Sequence, residues 1–563
     1  MASAGAFTFM LHSHLPYARL AGRWPHGEEW LHEAAAETYI PLLNALYDLV
    51  QEGIDFRITI GLTPILVEQL ADEQVKDHFD AYLDEKIEAA RKDITRFEST
   101  EPDPHLAYLA KYYLDWYETI KRSFDTRYSR DIIGAFRILQ DEGHIEISTS
   151  AATHGYLPLL GRDSAVFGQL KTGIEAYRRH FGQAPRAIWL PECAYRPAYI
   201  TEDGRTRPGL EKFLSDLGIK VFFSETHTIE GGVPVGVAAG DAIGPYGEIK
   251  RRYVIPVQEA IPPRAASTYL PYYVSDTTAG PAAEQHSGVA VIGRNNRTGM
   301  QVWSGDWGYP GEGDYREFHK KDPVSGLQYW RVTGPRVDLG FKDYYHPDWA
   351  SYRIAEHARH FAWLVGDLLK TYREATGNYG LISSNYDTEL FGHWWFEGIE
   401  WIKQVLRLLS ESPDVELVTA SGFIEKHQPG EVLHIPESSW GMGGNHWTWD
   451  NHDTHWMWAP IHKAEARMEE LVSRYPNPKR DERAVLNMAA RELLLLESSD
   501  WPFLVTTGQA REYAIRRFTR HVERFEALAT SLESGQPDRR LADELYEVDK
   551  VFPDIDYTWF KAR

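Results

Sequence analysis

With Cys193 as its single cysteine, the 563-residue chain can form no internal disulfide. No apolar run approaches the roughly 18 residues needed to span a bilayer. Met1 to Ala6 offers neither a basic stretch nor a long apolar core, so no signal peptide is read and a cytoplasmic protein is expected. Basic residues are in deficit, with 60 Lys and Arg against 82 Asp and Glu, a formal net charge of −22. Phosphate binding needs a basic face, so nucleic acid and anionic membrane are excluded as expected partners, whereas a neutral sugar polymer is not. Internal repeats and low-complexity tracts are also missing.

Aromatic residues are plentiful. They make up 13% of the chain, with 19 tryptophans. Indole rings stack on the flat C–H faces of sugars, but they also fill large cores and interfaces, and composition alone does not separate the two.

Short apolar or alternating runs read as strands at Ala6–Leu11, Phe56–Ile60, Ile145–Thr149, Ala187–Leu190, Lys220–Phe223, Tyr253–Val257, Met300–Trp303, Gly380–Ser384 and Val415–Val418. Helical spacing separates several of them, at Glu33–Val50, Phe167–Phe181, Tyr352–Thr376 and Gly398–Ser410, which implies a mostly parallel sheet. Polar residues gather where these strands finish: His12 and His14, Thr149 and His154, Glu192, Glu225 and His227, Asp306, and Asp387. A parallel barrel collects its chemistry on that rim. Two interruptions stand out, a helix-rich insertion at about 71–130 and a long Gly- and Pro-rich stretch at about 226–342. After about Glu437 the pattern turns helical, at Ile461–Arg474, Glu482–Ser498 and Gly508–Leu532.

Glu192, in Trp189-Leu190-Pro191-Glu192-Cys193-Ala194-Tyr195, and Asp387, in the run Ser383–Trp395, place two carboxylates just past strands. Glycoside cleavage uses such a pair, one to attack the anomeric carbon and one to protonate the leaving oxygen. The same residues, with His12-Ser13-His14-Leu15-Pro16-Tyr17, His154-Gly155-Tyr156-Leu157-Pro158 and Ala490 through Trp501, form five ordered blocks. Together these blocks resemble glycoside hydrolase family 57, and within it the 1,4-α-glucan branching enzymes.

The resemblance implies an incomplete (β/α)7 TIM-like barrel over 1–436 and a helical C-terminal domain over 437–563 that contributes to the cleft. It implies a retaining mechanism with Glu192 as nucleophile and Asp387 as general acid/base, acting on an α-glucan such as amylose or a glycogen-like polymer. It implies no metal or organic cofactor; a monomer is favoured. His12, His14 and His154 would hold the reacting sugar, Trp30 would stack on it, Trp303 would floor the cleft, and Trp440, Trp449 and Asp500 would close it from the helical side. Tyr246, in Gly244-Pro245-Tyr246-Gly247, would tip a mobile loop. The segments 285–297 and 329–342 depart from the familiar pattern.

Other readings stand beside this one. An α-amylase or 4-α-glucanotransferase of the same family would share the carboxylates. His12 and His14 alternate on a strand and could share a metal, as in a metal-dependent deacetylase on a related barrel, or could be structural. The His- and Trp-rich run 445–458 is either a sugar-facing wall or interdomain packing. Asp500-Trp501 is either functional or a helix end packed on the barrel. Cys193 reads as a small buried neighbour of Glu192, with no basic residue beside it in sequence to activate it.

Overall fold

The computed structural model describes residues 3–234, 260–277, 285–304 and 308–563. Seven strands among them build the barrel: β1 (Gly5–Ser13), β2 (Ile58–Leu62), β3 (Ile145–Ser148), β4 (Ala187–Ile188), β5 (Val221–Ser224), β6 (His286–Gly293) and β7 (Gly380–Asp387). β7, β1, β2 and β3 pair in parallel in that order. A parallel bridge from Thr149 to Ile188 joins β3 to β4, and β4, β5 and β6 continue in parallel. Between β6 and β7 no ladder forms among the described residues; Asn295 N–H donates to the Ser383 carbonyl at 2.9 Å across that seam. The barrel is therefore incomplete.

Strand alternation sorts the side chains. In β1, Phe7, Phe9 and Leu11 pack outward against helices, while Ala6 and Met10 join Trp189, Val221, Phe223, Ala290, Ile292 and Leu381 in the barrel interior. Continuing each alternation to the strand end carries His12 and Asp387 to the inner rim, since Asp387 shares the face of Leu381 and pairs in register with His12.

Two readings from sequence change. Met300–Trp303 is the end of a helix, Asn296–Trp303, capped by the Asn295 side chain accepting from Thr298 N–H at 3.0 Å. The sixth strand lies earlier, at His286–Gly293, inside both the stretch read as a long loop and the unfamiliar segment 285–297. The expected strand Tyr253–Val257, Tyr246 and Asp306 fall outside the described residues.

Helices Glu73–Thr95 and Pro104–Arg122 form the insertion, each started by an aspartate cap, Asp72 and Asp103. The C-terminal helices are Trp458–Arg474, Arg480–Leu496, Asp500–Thr507, Arg511–Glu533 and Arg539–Val548. The expected helix from Gly508 begins instead at Arg511, because Gly508 sits at φ 79° and ends the preceding helix. Among the described residues no helix is long and apolar enough to cross a membrane.

The loop after Asp387 turns back at Gly392, φ 95°, where an added Cβ would lie 1.9 Å from the Glu37 carbonyl oxygen. Gly392→Ala is expected to lower unfolding free energy by about 3 kcal/mol, since backbone must move. Urea titration measures this; an unchanged midpoint would show that the close approach is not required.

Candidate active site

Glu192 sits on a tight turn, Pro191–Cys193, directly past β4, with φ 60° and ψ 25°. A non-glycine residue in the left-handed region carries strain, which the surroundings must hold. Here the holding groups come from the far end of the chain. Trp440 Nε1 donates to Glu192 Oε2 at 2.9 Å, and Ser499 Oγ donates to Oε1 at 2.8 Å. The Trp440 amide also donates to the Glu192 carbonyl at 3.1 Å.

Behind Ser499 runs a polarised chain. Because the Ser499 hydroxyl donates to Glu192, it accepts from His154 Nδ1, 2.8 Å away. His154 Nε2 then accepts from His12 Nε2 at 3.1 Å. This fixes both tautomers with neutral rings, and burial, followed by the neighbouring histidines, pulls both pKa values well below the usual imidazole range. His14 behaves differently. Burial opposes its charge, but Asp500 Oδ1 accepts from its Nε2 at 2.9 Å, and the net shift is upward. Asp500 is held in turn by Ser498 Oγ at 2.7 Å.

Asp387 is half-buried on the same rim, at the end of β7. Burial pushes its carboxyl well above the usual range, and the charges of Glu389 and Glu192 push further. Burial also raises Glu192, but the bonds from Trp440 and Ser499 favour its carboxylate. One carboxyl is thus biased to carry a proton and the other is given donors for its charge, the division that acid and nucleophile require.

Four residues not singled out from sequence complete the site. Glu389, two residues after Asp387, accepts from the His14 amide at 3.1 Å and from the Tyr39 hydroxyl, and burial lifts its pKa to about 7. Tyr39 lies on a π turn, Ala35–Tyr39. Arg294, just past β6, makes a buried ion pair with Glu225, just past β5, at 2.9 Å. Ser499 lies inside the fifth block, where only contact with Glu192 reveals its part.

The other expected residues fall as follows. Trp440 joins the cluster through Glu192 and packs on Trp189, ring centroids 5.0 Å apart. Trp303 is half-buried, 6.4 Å from the Tyr386 ring. Trp30 is half-buried against Tyr513 of the C-terminal helices at 5.5 Å. Trp449 is only 1% exposed and stacks on Tyr156 at 4.4 Å, so it backs the wall rather than facing the cleft. Cys193 is buried, with its thiol pushed well up by burial.

His14, His154 and Asp500 could in principle share a metal ion. Their geometry argues otherwise. The two imidazoles stack at 3.8 Å with planes 16° apart, so their lone pairs lie in parallel planes and do not converge on one ion. His154 also spends both ring nitrogens on Ser499 and His12.

Ser499→Ala removes one bond that favours the Glu192 carboxylate, so the Glu192 pKa rises. The acid limb of the pH–rate profile is expected to move up by about one unit, the shift that about 1.4 kcal/mol of such bonding carries. An acid limb that stays in place would detach Ser499 from Glu192 ionisation.

Comparison with known proteins adds five findings. Residues 8–436 match the glycosyl hydrolase family 57 profile, and residues 460–560 match that of the 1,4-alpha-glucan branching enzyme C-terminal region. The chain is 45% identical over 560 residues to a 1,4-alpha-glucan branching enzyme of Thermococcus kodakarensis, covering 97% of this chain and 77% of that one. The crystal structure of a family 57 branching enzyme from that archaeon, in complex with glucose, superposes with TM-score 0.88 at 43% identity, covering 100% of this chain and 97% of that one. The α-amylase AmyC from Thermotoga maritima superposes with TM-score 0.80 at 30% identity, covering 99% of each chain.

Proposed function

The chain belongs to glycosyl hydrolase family 57, and we propose that it is a 1,4-α-glucan branching enzyme. The observation that carries the reading is the pair of carboxyls on one rim, Glu192 under two donors and Asp387 biased toward its protonated form.

Glu192 attacks the anomeric carbon of an α-1,4-linked glucose and forms a glucosyl ester, while Asp387 gives its proton to the departing 4-oxygen. Asp387, now ionised, takes the proton of an acceptor 6-hydroxyl. That oxygen attacks the same carbon and displaces Glu192. Two inversions leave an α-1,6 branch. His12, His14 and His154 hold the reacting sugar, with Asp500 fixing His14. Trp303, Trp440 and Trp30 supply ring faces nearby, and Trp449 supports them from behind.

Transfer requires that a sugar hydroxyl beat water to the ester, which calls for acceptor positioning and water exclusion. Tyr246 serves as a lid tip on the strength of the family resemblance alone. The substrate is a neutral α-glucan handled in a reducing compartment, a reading that the lone buried Cys193 supports; glycogen synthesis is the corresponding process.

Hydrolysis as the main activity is the second reading, favoured by the likeness to AmyC. The match over residues 460–560 favours branching. Proton NMR of amylose incubated with the enzyme, beside a reducing-end assay, separates them. A growing α-1,6 anomeric signal with few new reducing ends supports branching; reducing ends without that signal would replace it with an amylase.

A further inference from the structure

The segment 329–342, left without a role by the sequence, folds with the residues after it into a short antiparallel ribbon. Arg331 N–H donates to the Asp343 carbonyl at 2.9 Å and Tyr345 N–H to the Tyr329 carbonyl at 2.8 Å. Its inner side is anchored. Tyr329 OH donates to Asp93 at 2.7 Å on the insertion helix, and Tyr345 OH donates to Glu397 at 2.7 Å on the loop that follows Asp387.

Its outer side carries rings. Trp330 lies 6.3 Å from Tyr344, Tyr344 lies 5.9 Å from His105, His105 lies 4.3 Å from His346, and His346 stacks on Trp349 at 3.9 Å. Tyr108 joins at 6.0 Å from His105. Tyr344, Tyr108 and Trp349 are 37%, 47% and 48% exposed. Large aromatic rings left together in water mark an interaction surface. Two cations lie over its rings, Lys320 over Trp330 at 4.4 Å and Arg331 over Trp349 at 5.7 Å, and carboxylates offset them: Arg331 is paired with Asp343 at 2.9 Å and Asp314 at 3.6 Å, and Asp348 is exposed beside Trp349. The patch therefore favours an uncharged partner with apolar faces and hydroxyl edges, the chemistry of a sugar chain. It is also continuous with the catalytic loop, since Glu397 ties the ribbon to the segment whose Trp394 packs on Phe318 at 4.2 Å.

We propose that this ring array is a second α-glucan docking site, outside the cleft, that grips a remote stretch of the polymer. The inference rests on the α-glucan reading above. Because the rings sit on a braced ribbon and two helix starts, little ordering is needed on binding. Holding the polymer at a second point raises the local concentration of cleavable and accepting segments at the cleft.

The test is the full-length Trp349→Ala/Tyr344→Ala variant, checked for folding by circular dichroism, with Tyr108→Ala as an independent second variant. Affinity electrophoresis in amylose-containing gels should show weaker retardation, with the apparent Kd raised about tenfold, the scale of two lost ring contacts. KM for amylose should rise severalfold at unchanged kcat, while rates on a short maltooligosaccharide stay at the wild-type level. Equal retardation of variants and wild type would overturn the proposal. A wild-type dimer that becomes monomeric in the variant, with retardation unchanged, would reassign the patch to self-association. Failure of the wild type to form branches, with ring-dependent retardation retained, would sink the branching reading and leave the docking site standing.

Discussion

Glu192→Gln yields a folded protein whose transfer rate falls by at least about 10³-fold, the scale seen when a covalent nucleophile is lost. The exchange keeps the shape of the side chain, and its amide oxygen can still accept from Ser499 or from Trp440. It removes the negative charge that the proposed mechanism directs at the anomeric carbon. Burial of Glu192 argues against a collapse of the fold, since a neutral amide is cheaper to bury than a carboxylate. Initial rates on amylose beside near-UV circular dichroism make the comparison. A sharper version uses Glu192→Gly, acceptable at φ 60°, with added azide. If Glu192 is the nucleophile, azide enters from the vacated face and gives a β-glucosyl azide. A folded Glu192→Gln enzyme with near-normal rates would end the assignment.

Asp387→Asn should cost about 10²–10⁴-fold with glucan donors, the usual worth of a positioned acid and base. The loss depends on the leaving group. A maltosyl fluoride needs no proton to depart, so formation of the glucosyl ester should recover with that donor, while transfer to a hydroxyl stays slow for want of a base. Azide, which needs no deprotonation, should then capture the ester with retention. An equal deficit with fluoride and with glucan would remove Asp387 from the acid role. The upward push that Glu389 and Glu192 give Asp387 sets the direction of a linked effect. Neutralising Glu389 lowers the Asp387 pKa, so the alkaline limb of the profile moves to lower pH.

Much of this site was legible in the sequence because a parallel barrel turns order along the chain into order around a rim. His12, Glu192 and Asp387 each follow a short apolar run, and alternation decides which way His12 and Asp387 face; Glu192 owes its direction to the left-handed turn beyond β4, since alternation from Ala187 and Trp189 would have put it on the outer side. The sixth strand was harder to find. Met300-Gln301-Val302-Trp303 is a short, mostly apolar run, which also fits one turn of a half-buried helix, and the Asn295 cap decides in favour of the helix. The true strand opens with His286-Ser287-Gly288, polar and weakly patterned, before its buried Val289–Ile292. Ser499 and Glu389 escaped notice for another reason. Their parts depend on Glu192, His154, Tyr39 and His14, residues far away in sequence, and only the folded chain brings them within bonding distance. Trp449 lies in an aromatic run that suits either a sugar wall or a packed interior, and the structure buries it.

Glu192 is contributed early in the chain, yet both of its side-chain donors, Trp440 and Ser499, come from the last quarter. During synthesis Glu192 emerges long before the groups that brace it. Until the final helices dock, the carboxylate stands on a strained turn with no partner for its charge. A growing chain therefore carries no finished site, and the cleft is assembled only once Trp440 and Ser499 have been made and docked. A nonsense mutation between Asp387 and Trp440 would leave Glu192 and Asp387 both encoded, but Glu192 without either of its side-chain donors.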